Sequence, residues 1–248
     1  MTLHRLQRDW DDLAGLDPLW SILSEPDKRE NRWEVGAFFA TGEPEIAAVL
    51  ERGRRHGVPD RHERALDFGC GVGRLTRAMA THFDACIGVD IAPQMIALAR
   101  QWNAATPGCT FALNDTDDLR LFPDAHFDFV YTRIVLQHVP PRASARYVGE
   151  LVRVLRPRGL LVFELPSAMP LRSRLQGRRR VYALLRRLGV PPARLYRTFG
   201  LTPIRMSWLP EPTVVGLVEP AGRVLEIVRT ALPKWTSSTY YVTKDPGP

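Results

Sequence analysis

The sequence predicts an α/β fold, a doubly wound parallel sheet with helices on both faces. Three observations carry this. Short apolar runs alternate with helix-period segments between Arg64 and Leu165, the arrangement of successive βαβ units. The runs are nearly continuous in apolar residues, as strands buried on both faces require. A glycine cluster, Gly69, Gly71 and Gly73, stands where the first run meets the first helical segment. That is where an open α/β sheet receives its ligand.

Each element follows in order. Residues 1–60 read as a helical extension or lid, irregular and spiked with Trp10, Trp20, Trp33, Phe38 and Phe39. A helix is expected from Thr41-Gly42-Glu43-Pro44, with a capping residue ahead of a first-turn proline. Its Ile46, Val49 and Leu50 fit an i, i+3, i+4 stripe. The core, residues 61–166, holds five expected strands: Ala65–Phe68, Ala85–Asp90, Thr110–Leu113, Phe127–Tyr131 and Leu160–Leu165. Helical stripes lie between them at Leu75, Ala78 and Met79, at Met95, Leu98, Ala99 and Trp102, and at Val148, Leu151, Val152 and Leu155. Residues 167–210 form an arginine-rich insertion. Residues 211–248 supply a helix, Thr213–Ala221, and two more strands, Arg223–Thr230 and Ser238–Lys244.

Composition narrows the function. At 248 residues with 45% apolar and 25% charged residues, the chain reads as one domain with decorations. No apolar run approaches the ~18–20 residues a bilayer span needs. Arg5 and Arg8 are not followed by an apolar segment, so no signal peptide is expected. Cys70, Cys86 and Cys109 are irregularly spaced and suit a reducing, cytoplasmic setting. No His-x-x-x-His or tight acidic cluster suggests a metal, and the other histidines (His4, His56, His62, His82 and His126) sit in polar contexts.

The net charge of +7 is local. Ten arginines and no Lys, Asp or Glu fall between Leu165 and Pro210, so the rest of the chain is net acidic. Within that segment Val181, Leu184, Leu185 and Leu188 form an apolar stripe beside Arg178, Arg179, Arg180, Arg186 and Arg187, an amphipathic basic helix. Three uses stay open: a lid over an acceptor pocket with an arginine on a substrate anion, a peripheral membrane contact through residues 172–187, or a core-packed helix with solvated arginines.

The glycine spacing is Gly-x-Gly-x-Gly. Arg74 stands where a dinucleotide loop would want glycine, and no Lys-Ser or Lys-Thr follows as a nucleoside triphosphate loop would need. Asp67, two residues ahead of Gly69, would repel a pyrophosphate and suits a ligand carrying positive charge. Asp90 closes the second strand, 21 residues after Gly69, where a carboxylate can accept ribose hydroxyls.

With these residues in view, residues 64–163 resemble the class I S-adenosylmethionine-dependent methyltransferases, closest to their small-molecule branch (methyltransferase type 11, 12 and 25). Five blocks carry the resemblance: Ala65 to Leu75; Gly88-Val89-Asp90-Ile91 with Met95; Asn114 to Leu119; Phe127 to Val130 with Val135-Leu136-Gln137-His138-Val139; and Arg153 to Gly159. The resemblance implies a seven-stranded Rossmann-like sheet with an antiparallel last strand, and S-adenosyl-L-methionine as donor. It further implies that Asp67, Gly69, Cys70, Gly71 and Gly73 hold the methionine end and Asp90 the ribose. Ile91 and Met95 would pack the base, Asp115 and Thr116 lie at its edge, and Thr132 and Arg133 approach the methionine portion. The family's Pro-Gly-Gly turn is Pro157-Arg158-Gly159 here, expected to alter a turn and not the chemistry.

His138 is the candidate base, at the end of the fourth strand and facing the methyl group; its alternative role is to position a loop. An unperturbed imidazole pKa of ~6.5 suits proton removal near neutrality. The expected reaction is in-line transfer of the methyl group to a hydroxyl of a small molecule or glycan. N-methylation of an amine, a lipid methyltransferase docked by the arginine segment, and a non-catalytic donor-binding protein are the alternatives. Thr132-Arg133-Ile134 stands where an amino-nucleobase enzyme would carry Asn-Pro-Pro-Tyr or Asp-Pro-Pro-Tyr, which weighs against nucleic acid.

Overall fold

Seven strands pair into one sheet in the computed structural model, which describes residues 2–245. They are β1 (Arg64–Phe68), β2 (Ala85–Asp90), β3 (Cys109–Leu113), β4 (Phe127–Thr132), β5 (Leu155–Ala168), β6 (Arg223–Leu232) and β7 (Trp235–Thr243). The order is β3-β2-β1-β4-β5-β7-β6. The first five run parallel, with Leu66 of β1 opposite both Ile87 and Val130. β7 runs antiparallel between β5 and β6, Tyr241 facing Val162 and Tyr240 facing Ile227. The order of strand addition reverses at β1, with β2 on one side and β4 on the other, so the carboxyl ends of β1, β2 and β4 open a crevice.

The pleat divides the core. Leu66, Phe68, Val130, Leu161 and Phe163 point to one side with Leu151 and Val148 of helix α7 (Pro141–Val154). Ala65, Phe129, Tyr131, Leu160 and Val162 point to the other, against α4 (Gly42–Arg54) and α5 (Arg74–Met79). Phe129 and Phe163 are fully buried, and each such side chain contributes about 2 kcal/mol by leaving water. Helix α6 (Pro93–Trp102) covers β2 and β3. Ahead of β1, α1 (Leu3–Leu16), α2 (Pro18–Ile22) and α3 (Val35–Ala40) precede α4. Phe38 and Phe39 anchor α3 against Val72, Ala92 and Met95.

β5 is longer than its apolar run foretells because the Pro157-Arg158-Gly159 turn sits within it as an irregularity in the β4–β5 pairing. Arg158 takes φ +60°, its amide donates to the Lys244 carbonyl at 2.8 Å, and its Nε donates to Asp60 Oδ2 at 2.9 Å.

Beyond β5 come α8 (Leu171–Arg174), α9 (Gly177–Arg187) and α10 (Pro192–Arg197), followed by α11 (Glu211–Val218). The orientation of α9 splits the apolar stripe its pattern predicts. Val181, Leu184 and Leu188 are 48, 58 and 71% exposed, whereas Leu185 packs inward. Tyr182, with Leu195 and Leu201, also faces inward, and Arg186 Nη2 lies 3.6 Å from Asp12 Oδ2 on α1. Apolar packing of Tyr182 and Leu185 sets the helix, with the ionic contact at its edge. Among the described residues no helix is long and apolar enough to cross a membrane.

Candidate active site

The end of β1 turns sharply because the amides of Gly69 and Cys70 both donate to the Val89 carbonyl, at 2.8 and 2.9 Å. That turn demands glycine: Gly69 lies at φ +78°, and a Cβ there would stand 2.3 Å from Val135 Cγ2. Gly71, at φ +53°, donates its amide to Asp90 Oδ2 at 2.9 Å, while the Ala92 amide donates to Asp90 Oδ1 at the same distance. Asp90 thus locks the loop to the end of β2. Burial raises its pKa and these amides oppose the rise.

Asp67 is 2% exposed and accepts a 2.7 Å hydrogen bond from Thr76 Oγ1 at Oδ2. Burial pushes its pKa up to about 7, the Thr76 hydroxyl and Arg74 pulling only partly the other way. A buried carboxylate this poorly compensated favours a cation beside it. The Cys70 thiol is raised well above its ordinary value by burial and the nearby acids, so it is a packing group and not a nucleophile.

These groups line a cavity of about 970 Å³, its mouth included. Of the residues singled out in the sequence, Asp67, Gly69, Cys70, Gly71, Asp90, Ile91, Met95, Arg133 and His138 meet in its wall. Gly73, Asp115, Thr116 and Thr132 do not. Gly73 backs onto Asn103 and Phe111, Asp115 and Thr116 are exposed, and Thr132 is buried at the end of β4. The residue at the cavity from that β3 loop is Asn114, whose buried Nδ2 has no partner. Leu3, Leu6 and Trp10 of α1 and Ile22 and Leu23 around the end of α2 form the roof, and Tyr147 closes another side. Of the aromatic residues that mark the N-terminal extension, Trp10 lines this cavity, while Trp33, Phe38 and Phe39 pack together beside it.

A second, open cavity of about 2370 Å³, bounding solvent included, adjoins the first. Trp20, Arg178, Arg179, Lys234 and Trp235 line it, together with Glu164. Arg133, Ile134 and His138 belong to both walls. Arg133 is clamped by Glu45 at 3.0 Å and Glu164 at 3.2 Å. Glu45 also holds Arg74 at 3.0 Å and the Tyr131 hydroxyl at 2.9 Å, a hub that its place on an ordinary helix stripe did not reveal. Ile134 sits at φ +60°, a region β-branched residues seldom occupy.

His138 ends a 3₁₀ turn, Leu136–His138. Its Nδ1 stands 2.5 Å from the Arg205 carbonyl, which can only accept, so the neutral ring carries its proton on Nδ1 and a lone pair on Nε2. Gln137 Nε2 donates towards that lone pair at 3.4 Å, and Trp10 packs on the ring with centroids 5.3 Å apart. Burial lowers the His138 pKa to about 4. Among the described residues no group of three His, Cys, Asp or Glu side chains is placed to hold a metal.

The strand order with its reversed β7, and a glycine-turned cavity at the ends of β1, β2 and β4, define a class I methyltransferase fold. Residues 66–163 match the methyltransferase domain family. The chain is 32% identical over 168 residues to malonyl-[acyl-carrier protein] O-methyltransferase of Serratia marcescens, covering 62% of this chain and 64% of that one. It is 33% identical over 162 residues to the chloroplastic tocopherol O-methyltransferase of Arabidopsis thaliana, covering 62% and 44%. Magnesium protoporphyrin IX methyltransferase from Synechocystis PCC 6803, solved with bound SAH, shares the fold. Its TM-score is 0.62 at 16% identity over 98% of this chain and 99% of that one. In its fold and over residues 66–163 the chain is similar to the class I S-adenosylmethionine-dependent methyltransferases. It spans less than two thirds of the length of the two curated relatives.

The residues present fit S-adenosylmethionine. Asp67 offers a buried carboxylate to an ammonium, Asp90 a carboxylate to ribose hydroxyls, and the unpartnered Asn114 amide a donor to the base edge.

Proposed function

We infer that the chain transfers a methyl group from S-adenosylmethionine to the oxygen of a small-molecule or glycan acceptor, with His138 taking the hydroxyl proton. The observation that carries this is the place of His138: its ring forms part of the wall of the donor cavity and of the second cavity together. A nucleophile entering from the second cavity meets the donor beside that ring. The O-methyltransferases among the relatives support oxygen as the target.

S-adenosylmethionine supplies a methyl group on a positively charged sulfur. What remains for the chain is alignment, exclusion of water and removal of a proton. Asp67, Asp90 and Asn114 fix the donor, with Ile91 and Met95 against the base. The α1–α2 roof keeps water out. Arg133, held between Glu45 and Glu164, stiffens the partition between the cavities.

His138 is neutral throughout the physiological range, because its pKa is about 4. Its Nδ1–H is committed to Arg205, and the acceptor hydroxyl displaces the long Gln137 contact from the Nε2 lone pair. So weak a base suffices, since a hydroxyl oxygen becomes strongly acidic as its bond to the methyl group forms. Arg178, Arg179 and Lys234 in the second cavity favour an acceptor carrying a carboxylate or phosphate.

The test uses donor labelled in its methyl group and a fractionated cell extract. Label is expected in small molecules or sugar-containing material, soluble or lipid-extractable. In His138→Ala it falls by about 10²- to 10⁴-fold, while calorimetry shows unchanged donor affinity. Label confined to protein or RNA refutes the acceptor class. Turnover retained in His138→Ala refutes the base and points to an amine acceptor.

A further inference from the structure

Helix α9 turns Tyr182 and Leu185 inward onto Leu195 and Leu201 and leaves the rest of its apolar stripe outside. Arg186 pairs with Asp12 on α1, Tyr182 is 4% exposed, and Asp9 of α1 interacts with both Arg179 and Arg186. The opposite side carries Val181, Leu184 and Leu188 at i, i+3, i+7 spacing, 48–71% exposed. Exposed Arg180 and Arg187 flank that row on one side and exposed Arg178 on the other. Leu171, Leu175 and Phe199, in the same segment, are 74, 55 and 49% exposed. A surface helix ordinarily does the reverse, so a clustered apolar row facing out marks a docking surface.

A second observation stands apart from the helix. Gly177 and Arg178, at the start of α9, form one lip of the second cavity, and the β6–β7 turn forms another with Leu232, Pro233, Lys234 and Trp235. Leu232 is 40% exposed. The β6–β7 lip thus pairs apolar side chains with a cation and an interfacial aromatic, and the α9 lip adds a guanidinium, around the opening through which an acceptor would enter.

We propose that α8, α9 and the β6–β7 turn dock on an anionic lipid bilayer, and that the second cavity opens there to receive an amphiphilic acceptor from the leaflet. Charge complementarity selects this occupant. Residues 165–210 contain ten arginines and no acid, so apolar side chains enter the acyl boundary while guanidinium groups meet lipid phosphates. A second copy of the chain would set arginines against arginines with no carboxylate in the segment to pair them. The docking claim rests on the surface alone; the identity of the acceptor rests on the methyltransferase reading above.

The full chain is sedimented with vesicles of phosphatidylcholine, and of phosphatidylcholine mixed with phosphatidylglycerol. Binding is expected to the anionic vesicles only and to weaken as salt rises. Arg180→Gln with Arg187→Gln weakens it by about 30-fold, at about fivefold per cation. Leu184→Ser with Leu188→Ser abolishes it. These four side chains are exposed and line neither cavity, so the variants keep wild-type affinity for S-adenosylhomocysteine. No binding to anionic vesicles, binding that both double variants retain, or a dimer that Leu184→Ser with Leu188→Ser dissolves would each overturn the proposal. Donor affinity measured on the same samples separates the readings. Vesicle failure with donor binding intact removes only the docking; loss of donor binding in the wild type removes the methyltransferase reading itself.

Discussion

Lowering the pH should weaken donor binding well before anything unfolds, through Asp67. Its carboxyl is 2% exposed, and burial holds its pKa at about 7 in the donor-free protein. An ammonium beside it favours the charged form, so binding must expel whatever proton the carboxyl carries. The apparent Kd then scales as one plus the ratio of protonated to ionised Asp67. That factor is about 2 at pH 7 and about 11 at pH 6, a loss of about fivefold in affinity over one unit. The ligand's own α-amino group, with a pKa of about 7.7–8.0, stays charged over that interval. Titration calorimetry with S-adenosylhomocysteine at both pH values reads the effect directly. In Asp67→Asn the fivefold step disappears, whatever Asp90 contributes being common to both proteins. An equal pH dependence in wild type and variant would refute the assignment of Asp67 to the ammonium. The sign for stability runs the other way. A carboxyl whose pKa is raised on folding favours the native state at low pH, and that advantage is lost as the pH rises through about 7. Asp67→Asn should therefore raise the donor-free Tm at pH 8, as relief of a binding-site compromise commonly does.

Three further expectations concern other residues. Because the His138 pKa is about 4, kcat under saturating donor should stay nearly flat from pH 8 to 5, where an ordinary imidazole would cost about 30-fold; a limb near pH 6.5 would contradict the buried tautomer. Glu45→Gln strips the charge partner from Arg74, whose side chain is 4% exposed, and from Arg133. It should cost about 3–5 kcal/mol, seen as a lower denaturant midpoint at unchanged m-value. Gly69→Ala forces a Cβ to 2.3 Å from Val135 Cγ2 at φ +78°; donor affinity should fall at least about fivefold, given about 1–3 kcal/mol of strain, and wild-type affinity would show that the loop is soft.

The sheet was largely legible because each parallel strand is an unbroken apolar run. Ala85–Asp90 matches β2 residue for residue, and the other strands of the parallel core differ mainly at their ends. β5 escaped its full length because Pro157, Arg158 and Gly159 look like a stop; the irregular register and positive φ that carry the strand through are tertiary facts. The glycine loop and two acids were legible since each answers a local demand of a turn or a strand end. Asn114 was passed over for its neighbours Asp115 and Thr116, because hydrogen-bonding residue types crowd that loop and only its path selects one. The periodicity of α9 revealed an apolar stripe but not which way it faces. Periodicity reports that two faces differ; the packing of Tyr182 and Leu185 on Leu195 and Leu201, with Arg186 beside Asp12 on α1, sets which one turns inward. The second cavity had no linear signature, since its walls come from segments as distant as Trp20, Glu164 and Trp235.

Ile134 carries a consequence for protein engineering. A β-branched side chain held at φ +60°, where both cavities share a wall, stores about 1–3 kcal/mol of backbone strain. Glycine or asparagine would release it. A laboratory selection for heat tolerance alone should therefore return substitutions at this position repeatedly, and the survivors should be sturdier proteins with a slackened partition and poorer turnover. Improving the durability of this chain as a biocatalyst means leaving residue 134 alone and looking for stability elsewhere.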